Sequence, residues 1–250
     1  MPKFAGDLHT HSLASGHAYS TISEMAGAAA KKGLAYLGLT EHGPNLPSAP
    51  HIYYFGNLKV IPPQIQGVNI LKGVEANIIS PAGELDLPNS LLENLDWVLV
   101  GYHPDAGFGG GSVETNTQAM IKAVTNPYVD ALVHPGNPIF PVDYEAVVKA
   151  CAEHGKAIEI NNASLTVVRT GSRPNCTRIA TLAARYKVKV ILSSDAHYAD
   201  DVGKLDAAYE LATSCGIADE QIVNLTVRGI EEFLVSRGKK PRVDSTTPAV

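Results

Sequence analysis

Short apolar runs alternate with amphipathic segments along most of this chain. The runs are rich in aliphatic and β-branched residues, which is typical of strands buried on both faces. Seven of them are predicted strands: FAGDLH (4–9), AYLGLT (35–40), VNILKGVEANII (68–79), DWVLVGYH (96–103), VDALVH (129–134), AIEINN (157–162) and VKVILSSD (188–195).

The segments between the runs place apolar residues at the 3.6-residue spacing of helices. The first, ISEMAGAAAKKG (22–33), has Ser23 as its predicted N-cap and Gly33 as its C-terminal stop. The others are NTQAMIKAVT (116–125), DYEAVVKACAEHG (143–155), CTRIATLAARY (176–186), KLDAAYELATSCG (204–216) and TVRGIEEFLVSRG (226–238).

The alternation of strand and helix predicts a parallel sheet covered by helices. It leaves open whether the sheet closes into a barrel or stays an open, doubly wound sheet. No repeat, linker or low-complexity stretch indicates a second domain, so we expect one domain over residues 1–240. The polar, proline-containing residues 241–250 are expected to form a loose tail.

Composition narrows the classes of function. The chain has 250 residues, 45% hydrophobic and 18% charged, as expected for a folded α/β protein. A net charge of −5 gives no basic field to attract nucleic acid or an anionic membrane. The three cysteines are far apart and odd in number, which is typical of a reducing compartment. With no apolar signal segment at the start, we expect a cytoplasmic protein.

Imidazole and carboxylate groups stand at the carboxyl ends of six predicted strands. In an α/β barrel these ends meet at one rim, where active sites are built. His9 and His11 are two residues apart, so a strand projects them from one face together with Asp7. The remaining groups are His42, Glu75, His103, His134, Asp195 and His197. Their joint placement predicts a metal site.

Other candidate residues fall outside this pattern. The sixth strand has no histidine and offers Glu159, Asn161 and Asn162 instead. His154, at a helix end, is interpreted as a partner of the helix dipole. His51 lies in an aromatic loop, where packing is the favoured role and lining a substrate pocket is the alternative.

The segments DLHTHS, TEHG, GVEAN, LVHPGNP, EINN and SDAHYAD resemble the PHP (polymerase and histidinol phosphatase) superfamily. HAYSTI, NTQAM and EINNAS resemble its YcdX-like phosphatase branch, and the resemblance runs from about residue 5 to residue 240. It implies a distorted (β/α)7 TIM-like barrel with parallel strands and a trinuclear centre. The metal implied is Zn²⁺, three per chain, with Mn²⁺ or Fe²⁺ as alternatives. Glu41 departs from the family, which often has Asp there.

Carried onto matching positions, the resemblance implies nine metal ligands. One metal would take His9, His11, Glu75 and Asp195; a second would share Glu75 and take His103 and His134; a third would take His17, His42 and His197. Glu75 counts twice, so ten bonds occupy the twelve positions of three tetrahedral ions. At least two positions remain for water or substrate. The ions and two carboxylates leave a charge of about +4, which suits a phosphate dianion.

These features predict a metal-dependent phosphatase that cleaves phosphate monoesters of a small metabolite. A hydroxide bridging the first two metals would attack phosphorus, and the third metal would hold a phosphoryl oxygen. Glu75, Asp195 and His197 are the predicted catalytic residues, with Asp195 as a proton shuttle.

The roles of several neighbouring residues stay open. Arg169 and Arg173 follow strand six, where each either binds phosphate or lies on the surface. Asp7 either orients a histidine ligand or has a packing or capping role. The glycines Gly109–Gly111 form either a lid or a simple loop.

Two other functions also stay open. A phosphodiesterase or nuclease would need a basic track or stacking aromatics, and only Tyr53, Tyr54 and Phe55 offer the latter. A non-catalytic metal-binding module is the second alternative. We expect a small phosphorylated substrate, no nucleic acid or membrane partner, and a homo-oligomer, such as the trimer that similar proteins suggest. No residue selects histidinol phosphate in particular.

Overall fold

Seven parallel strands form a nearly closed barrel in the computed structural model, which describes residues 2–241. Their order is β1-β2-β4-β5-β6-β7-β8, and the short β3 pairs antiparallel with β4 beside this path. The strands are β1 (Gly6–Thr10), β2 (Tyr36–Leu39), β3 (Gln64–Ile65), β4 (Val68–Asn77), β5 (Trp97–Gly101), β6 (Ala131–Leu132), β7 (Ala157–Asn161) and β8 (Val190–Ser193). The predicted TIM-like barrel is confirmed, and the open, doubly wound alternative is not what the chain forms.

Helices surround this barrel. They are α1 (Ile22–Lys31), α2 (Ile52–Asn57), α3 (Asn89–Leu92), α4 (Val113–Thr125), α5 (Tyr144–Glu153), α6 (Ala163–Thr166), α7 (Ser172–Tyr186), α8 (Asp206–Ser214) and α9 (Val227–Ser236). Short 3₁₀ helices cover Leu13–Ser15, Leu58–Val60, Ala199–Asp201, Asp219–Gln221 and Val223–Leu225. Among residues 2–241, none of the helices combines the length and apolar character needed to cross a bilayer.

The start of α1 corrects one prediction. Thr21, not Ser23, is the N-cap: its hydroxyl accepts from Glu24 N, and the Glu24 carboxylate accepts from Thr21 N. This reciprocal pair satisfies two backbone donors that a helix start leaves free, which a cap at Ser23 would not do. Gly33 follows the helix with φ of 74°, as the predicted stop requires.

The barrel closes through a side chain rather than a full strand pairing. Asn224 lies between β1 and β8, where its Nδ2 donates to Gly6 O and to Leu192 O, both at 2.7 Å. Its Oδ1 accepts from Leu192 N at 3.0 Å. Beyond the carboxyl end of β8, Asp195 N donates to His9 O at 3.1 Å. The first and last strands are therefore fixed to each other at both ends.

The side chains that point into the barrel change from apolar to polar along the strands. Leu99, Ala157 and Ile191 belong to an apolar cluster in the barrel interior. Because side chains alternate between faces, the same face of β7 continues to Glu159, and that of β8 points toward Asp195. The barrel interior is thus hydrophobic toward the amino ends of the strands and polar toward their carboxyl ends.

The tail predicted for residues 241–250 lies outside the described residues after residue 241.

Candidate metal centre

The nine side chains predicted as ligands all lie at the carboxyl end of the barrel. Glu75, in β4, is at their centre and is fully buried. Its carboxylate oxygens lie within hydrogen-bonding or ion-pair distance of five imidazoles: His9 (3.3 Å), His11 (3.5 Å), His42 (2.7 Å), His103 (3.0 Å) and His134 (2.5 Å). These ligand candidates are far apart in sequence, and the barrel brings them together.

The two oxygens of Glu75 face different neighbours. Oε1 faces the Nε2 atoms of His103 and His134. Oε2 faces the Nε2 atoms of His9 and His11. A carboxylate in this position can link two metal ions, one on each oxygen.

The group on Oε2 has the spacing of a tetrahedral site. Asp195 Oδ1 lies 3.6 Å from His9 Nε2 and 3.3 Å from His11 Nε2. Glu75 Oε2 lies 3.3 Å and 3.5 Å from the same two nitrogens. Zinc at about 2.0–2.1 Å from its ligands separates them by about 3.3 Å. The four distances therefore match those between ligands of one tetrahedral ion.

A separate group, which includes neither oxygen of Glu75, consists of three imidazole nitrogens. The Nε2 atom of His42 lies 3.1 Å from that of His17 and 3.4 Å from that of His197. The His17 and His197 Nε2 atoms are 3.2 Å apart. This nearly equilateral triangle again has the ligand spacing expected for zinc. Cys residues belong to none of the clusters of possible metal ligands found among the described residues.

Buried polar atoms without a hydrogen bond of good geometry mark the same place. In residues 2–241, eight buried side-chain atoms lack a hydrogen bond, and six of them belong to this cluster: His9 Nε2, His11 Nε2, His42 Nδ1, Glu75 Oε2, His103 Nε2 and Asp195 Oδ1. Such atoms are rare in folded proteins, since each one costs free energy. Lone pairs that converge in this way are the donor set of cation sites.

Charge in the cluster is suited to binding cations. Burial is the main cause that lowers the pKa of His42 and of His134 to about 4, so both are neutral at neutral pH. Burial also opposes ionisation of Glu75 and Asp195, but nearby positive groups hold the pKa of each well below its ordinary value. Neutral imidazoles and ionised carboxylates are the forms that bind metals.

His9 differs from His42 and His134. Its burial lowers the pKa, but the charges of Glu75, Glu159 and Asp195 outweigh burial and raise the pKa well above the ordinary value. A bound cation would have to replace the proton that these carboxylates attract.

Outer neighbours hold the second nitrogen of several imidazoles. His103 Nδ1 lies 2.7 Å from Asn77 Oδ1, and His9 Nδ1 lies 2.6 Å from Glu159 Oε1. His11 Nδ1 lies 3.2 Å from the Ser15 hydroxyl. With Nδ1 engaged, Nε2 is the atom turned toward the cluster.

Sequence reasoning gave Glu159 no role. Its partner His9 is 150 positions away, so the contact becomes visible only when the barrel is closed. The sequence feature that points to it is its spacing: Glu159 is two residues before Asn161 in β7, so both side chains project from the same face of the strand, toward the carboxyl end of the barrel.

Asp7 has a different function from the histidines that follow it. Its carboxylate accepts from the N–H groups of Ser194 (3.1 Å) and Gly203 (2.7 Å) and from the Ser194 hydroxyl. Of the two roles left open by the sequence, these contacts are those of packing and capping. Asp7 fixes the loop that carries Asp195.

The two arginines predicted for substrate binding lie in different places. Arg169 Nη1 is 2.9 Å from Asp195 Oδ2 and 3.2 Å from Ser164 Oγ. It lines an open pocket of about 500 Å³ that also exposes His17, His42, His103 and His197. Arg173 is exposed and donates to Leu165 O at 3.4 Å, so the structure does not bring it to the cluster.

Two further histidines have contacts outside the cluster. His51 caps α2, where its Nδ1 accepts from Tyr53 N at 3.2 Å. His154 is the C-cap residue of α5, the position at which a partner of the helix dipole is expected.

A hydrogen bond fixes the end of the loop that contains Gly109–Gly111: Gly111 N donates to Asn116 Oδ1 at 2.7 Å. This contact favours a simple loop over a lid.

Known proteins resemble this chain along most of its length. Residues 7–215 match the family model of the PHP domain. A probable phosphatase of Thermoanaerobacter sp. (strain X514) is 48% identical over 238 residues, covering 95% of this chain and 97% of the relative. A probable phosphatase of Syntrophotalea carbinolica is 49% identical over 228 residues, covering 91% and 95%.

A solved structure shares the fold. Histidinol phosphate phosphatase from Lactococcus lactis subsp. lactis, complexed with zinc, L-histidinol and phosphate, aligns with a TM-score of 0.59 and 16% identity. The alignment covers 87% of this chain and 95% of that protein.

The barrel, its cluster of candidate metal ligands and its close relatives define this protein as a phosphatase. The chain belongs to the PHP domain family, whose model covers most of its length.

Proposed function

We propose that this phosphatase hydrolyses phosphate monoesters of a small metabolite at a centre of three zinc ions. The observation that carries the proposal is the convergence of six buried polar atoms, none with a hydrogen bond of good geometry, at the carboxyl end of the barrel. The ligand groups are His9, His11, Asp195 and Glu75 Oε2; His103, His134 and Glu75 Oε1; and His17, His42 and His197.

The donor set favours zinc. Imidazole and carboxylate ligands without thiolate suit zinc, with manganese or iron as alternatives. When bound, the ions would lower the pKa of coordinated water toward about 7 and offset the charge of the phosphate. The Lactococcus lactis phosphatase of the same fold is complexed with zinc.

The chain itself would bind and orient the phosphate. Arg169 lines the pocket, and a guanidinium has donors beyond the Nη1 atom that contacts Asp195. These donors suit phosphoryl oxygens. Asp195 would stay ionised at neutral pH because its pKa is well below the ordinary value. Its proposed part as a shuttle therefore begins with accepting a proton.

A monoester fits the pocket better than a nucleic acid. Among the described residues that line the pocket there is one arginine, Arg169, and no lysine. Leu46, Pro47 and Val168 form an apolar part of the rim. Tyr53, one of the aromatic residues that a nuclease would need for base stacking, lines a separate cavity beside α2. A continuous basic track for a polyanion is absent from the described pocket lining.

Metal analysis combined with a substrate comparison tests the proposal. We expect about three zinc ions per chain and turnover of p-nitrophenyl phosphate that is lost after chelation and restored by zinc. Bis-p-nitrophenyl phosphate should react much more slowly. Faster hydrolysis of the diester would indicate a phosphodiesterase. A fully loaded protein without turnover of either ester would indicate a metal-binding module.

A further inference from the structure

Glu159, in β7, contacts ligand side chains of two different proposed metal groups. Its Oε1 lies 2.6 Å from His9 Nδ1. Its Oε2 accepts from the backbone N–H of His134, also at 2.6 Å. We propose that Glu159 is a positioning residue that fixes both ligands at once and so couples two of the metal sites. This inference rests on the three-metal centre proposed above.

The contact with His9 determines which ring nitrogen is available. Glu159 is buried, and its carboxylate accepts from the His134 N–H, from Asn161 Nδ2 and from the Ser193 hydroxyl, as an ionised carboxylate does. An ionised carboxylate only accepts, so His9 must donate from Nδ1. The lone pair of the imidazole is then on Nε2, the atom that faces Glu75 and Asp195. Glu159 thereby sets the tautomer that a metal ligand needs.

The contact with His134 acts on the backbone. His134 has φ of 33°, a positive value that residues other than glycine adopt rarely and at a cost. The hydrogen bond from its N–H to Glu159 offsets part of that cost. In this conformation the imidazole Nε2 lies 2.5 Å from Glu75 Oε1. The second metal group therefore depends on the same carboxylate as the first.

Every hydrogen-bonding neighbour of Glu159 is a donor. Besides His9 and His134, the Ser193 hydroxyl donates to Oε1, and Asn161 Nδ2 donates to Oε2 at 3.2 Å. Glutamine has nearly the same shape, but one of its two terminal atoms is a donor. Whichever way that amide turns, it places an NH₂ group against a donor of one metal ligand.

Zinc titration of Glu159→Gln tests this inference without relying on activity. Purified protein is dialysed against graded free zinc, and bound zinc is measured by elemental analysis. The variant should bind two ions about 10–100-fold more weakly than the wild type. The third should be unchanged, because the contacts of Glu159 described here do not reach His17, His42 or His197.

Asp130→Asn is the matched control. Asp130 is also a buried carboxylate, but it accepts from Val98 N at 2.8 Å, at the amino end of β6. The control should bind three ions with wild-type affinity even if it is less stable. If Glu159→Gln does not fold, Glu159→Asp keeps the charge, and its shorter side chain should weaken the same two ions.

The outcomes separate the inference from the proposed function. Three ions bound by the Glu159 variant with wild-type affinity would overturn the positioning role. Equal weakening of all three ions would overturn it as well, because that result indicates general loosening of the fold. Fewer than three ions in the wild type would instead contradict the proposed metal centre.

Discussion

His103 and Asn77 are joined by a buried hydrogen bond in which His103 Nδ1 lies 2.7 Å from Asn77 Oδ1. Asn77 ends β4, two residues beyond Glu75, so one strand supplies both a central carboxylate and the partner of an imidazole. The Asn77 amide is held in turn, since its Nδ2 donates to Gly43 O at 3.1 Å and to Asp86 Oδ2 at 2.5 Å. The orientation of His103 is therefore fixed by the backbone of β4 and its neighbours.

Replacing Asn77 with Ala should lower zinc affinity and kcat/KM about 10–100-fold, because His103 loses the acceptor that fixes its tautomer. Metal titration and steady-state kinetics measure the two effects. Asn116→Ala is a matched control: Asn116 is equally buried, but it bonds Gly111 and Pro141 away from the cluster. A loss of stability in both variants with normal zinc binding in both would contradict the role given to Asn77.

Arg169→Met should reduce kcat/KM for a phosphate monoester about 10–100-fold, since charge-assisted hydrogen bonds of a guanidinium to phosphate are lost. Arg173→Met removes an arginine only four residues away that is exposed and outside the pocket. That control should change kcat/KM less than about twofold. Steady-state kinetics on the two zinc-loaded variants makes the comparison, and equal effects of both substitutions would count against Arg169.

His134→Ala should abolish more than about 99% of phosphatase activity while leaving the fold largely intact, because a proposed ligand of the bridged metals is lost. Circular dichroism and zinc content accompany the activity assay. His51→Ala provides the comparison, since His51 caps α2 and makes no contact with the cluster among its described bonds. Full activity of His134→Ala would refute its assignment as a ligand.

Lys156 predicts a pH dependence of stability away from the cluster. Burial, with help from the charge of Arg237, lowers the pKa of Lys156 to about 8, below the 10.5 of an exposed lysine. Between these values the unfolded chain binds one proton more than the folded chain. The free energy of unfolding contributed by this group therefore rises as pH increases from about 8 to 10.5.

Urea unfolding at pH 8 and at pH 10 measures this contribution in the wild type and in Lys156→Met. The wild type should gain more stability over this interval than the variant, which lacks the group. Taking the difference between the two proteins removes the effect of other groups, such as Cys151, whose pKa burial raises to about 12. Identical pH slopes would show that Lys156 does not titrate as described.

Asn224→Ala should lower the free energy of unfolding by about 2–4 kcal/mol, because Gly6 and Leu192 lose buried hydrogen-bond partners. Urea unfolding at neutral pH measures the change. Asn94→Ala removes an exposed side chain with a single hydrogen bond to Ser90 O and should cost less than about 1 kcal/mol. A cost for Asn224→Ala no larger than for this control would mean that the barrel does not depend on the bridge.

Periodicity was sufficient to predict the barrel strands. The seven predicted runs coincide with β1, β2 and β4 to β8, with β1 extending one residue beyond its run, because each strand is a local apolar segment. The short elements β3, α2, α3 and α6 were not predicted, since two to six residues carry too little pattern. The N-cap of α1 was misplaced by two residues because Ser23 and Thr21 are both good caps.

The candidate ligands at the ends of strands could be predicted from the sequence. The contacts between side chains of different strands could not. His103 and His134 are recognisable from their place after a strand. The contact of Glu159 with His9 depends on closure of the barrel, which leaves only β8 between β7 and β1, and no local pattern shows this. Arg169 and Arg173 share a segment and a residue type, and only the conformation of that segment, with Arg169 at φ of 52°, separates them.

The bridge formed by Asn224 also bears on the order of events during synthesis. All nine proposed ligands precede residue 198, whereas the amide that fastens β1 to β8 is made later. A nascent chain on the ribosome therefore carries the complete donor set before it can fasten the first strand of the barrel to the last.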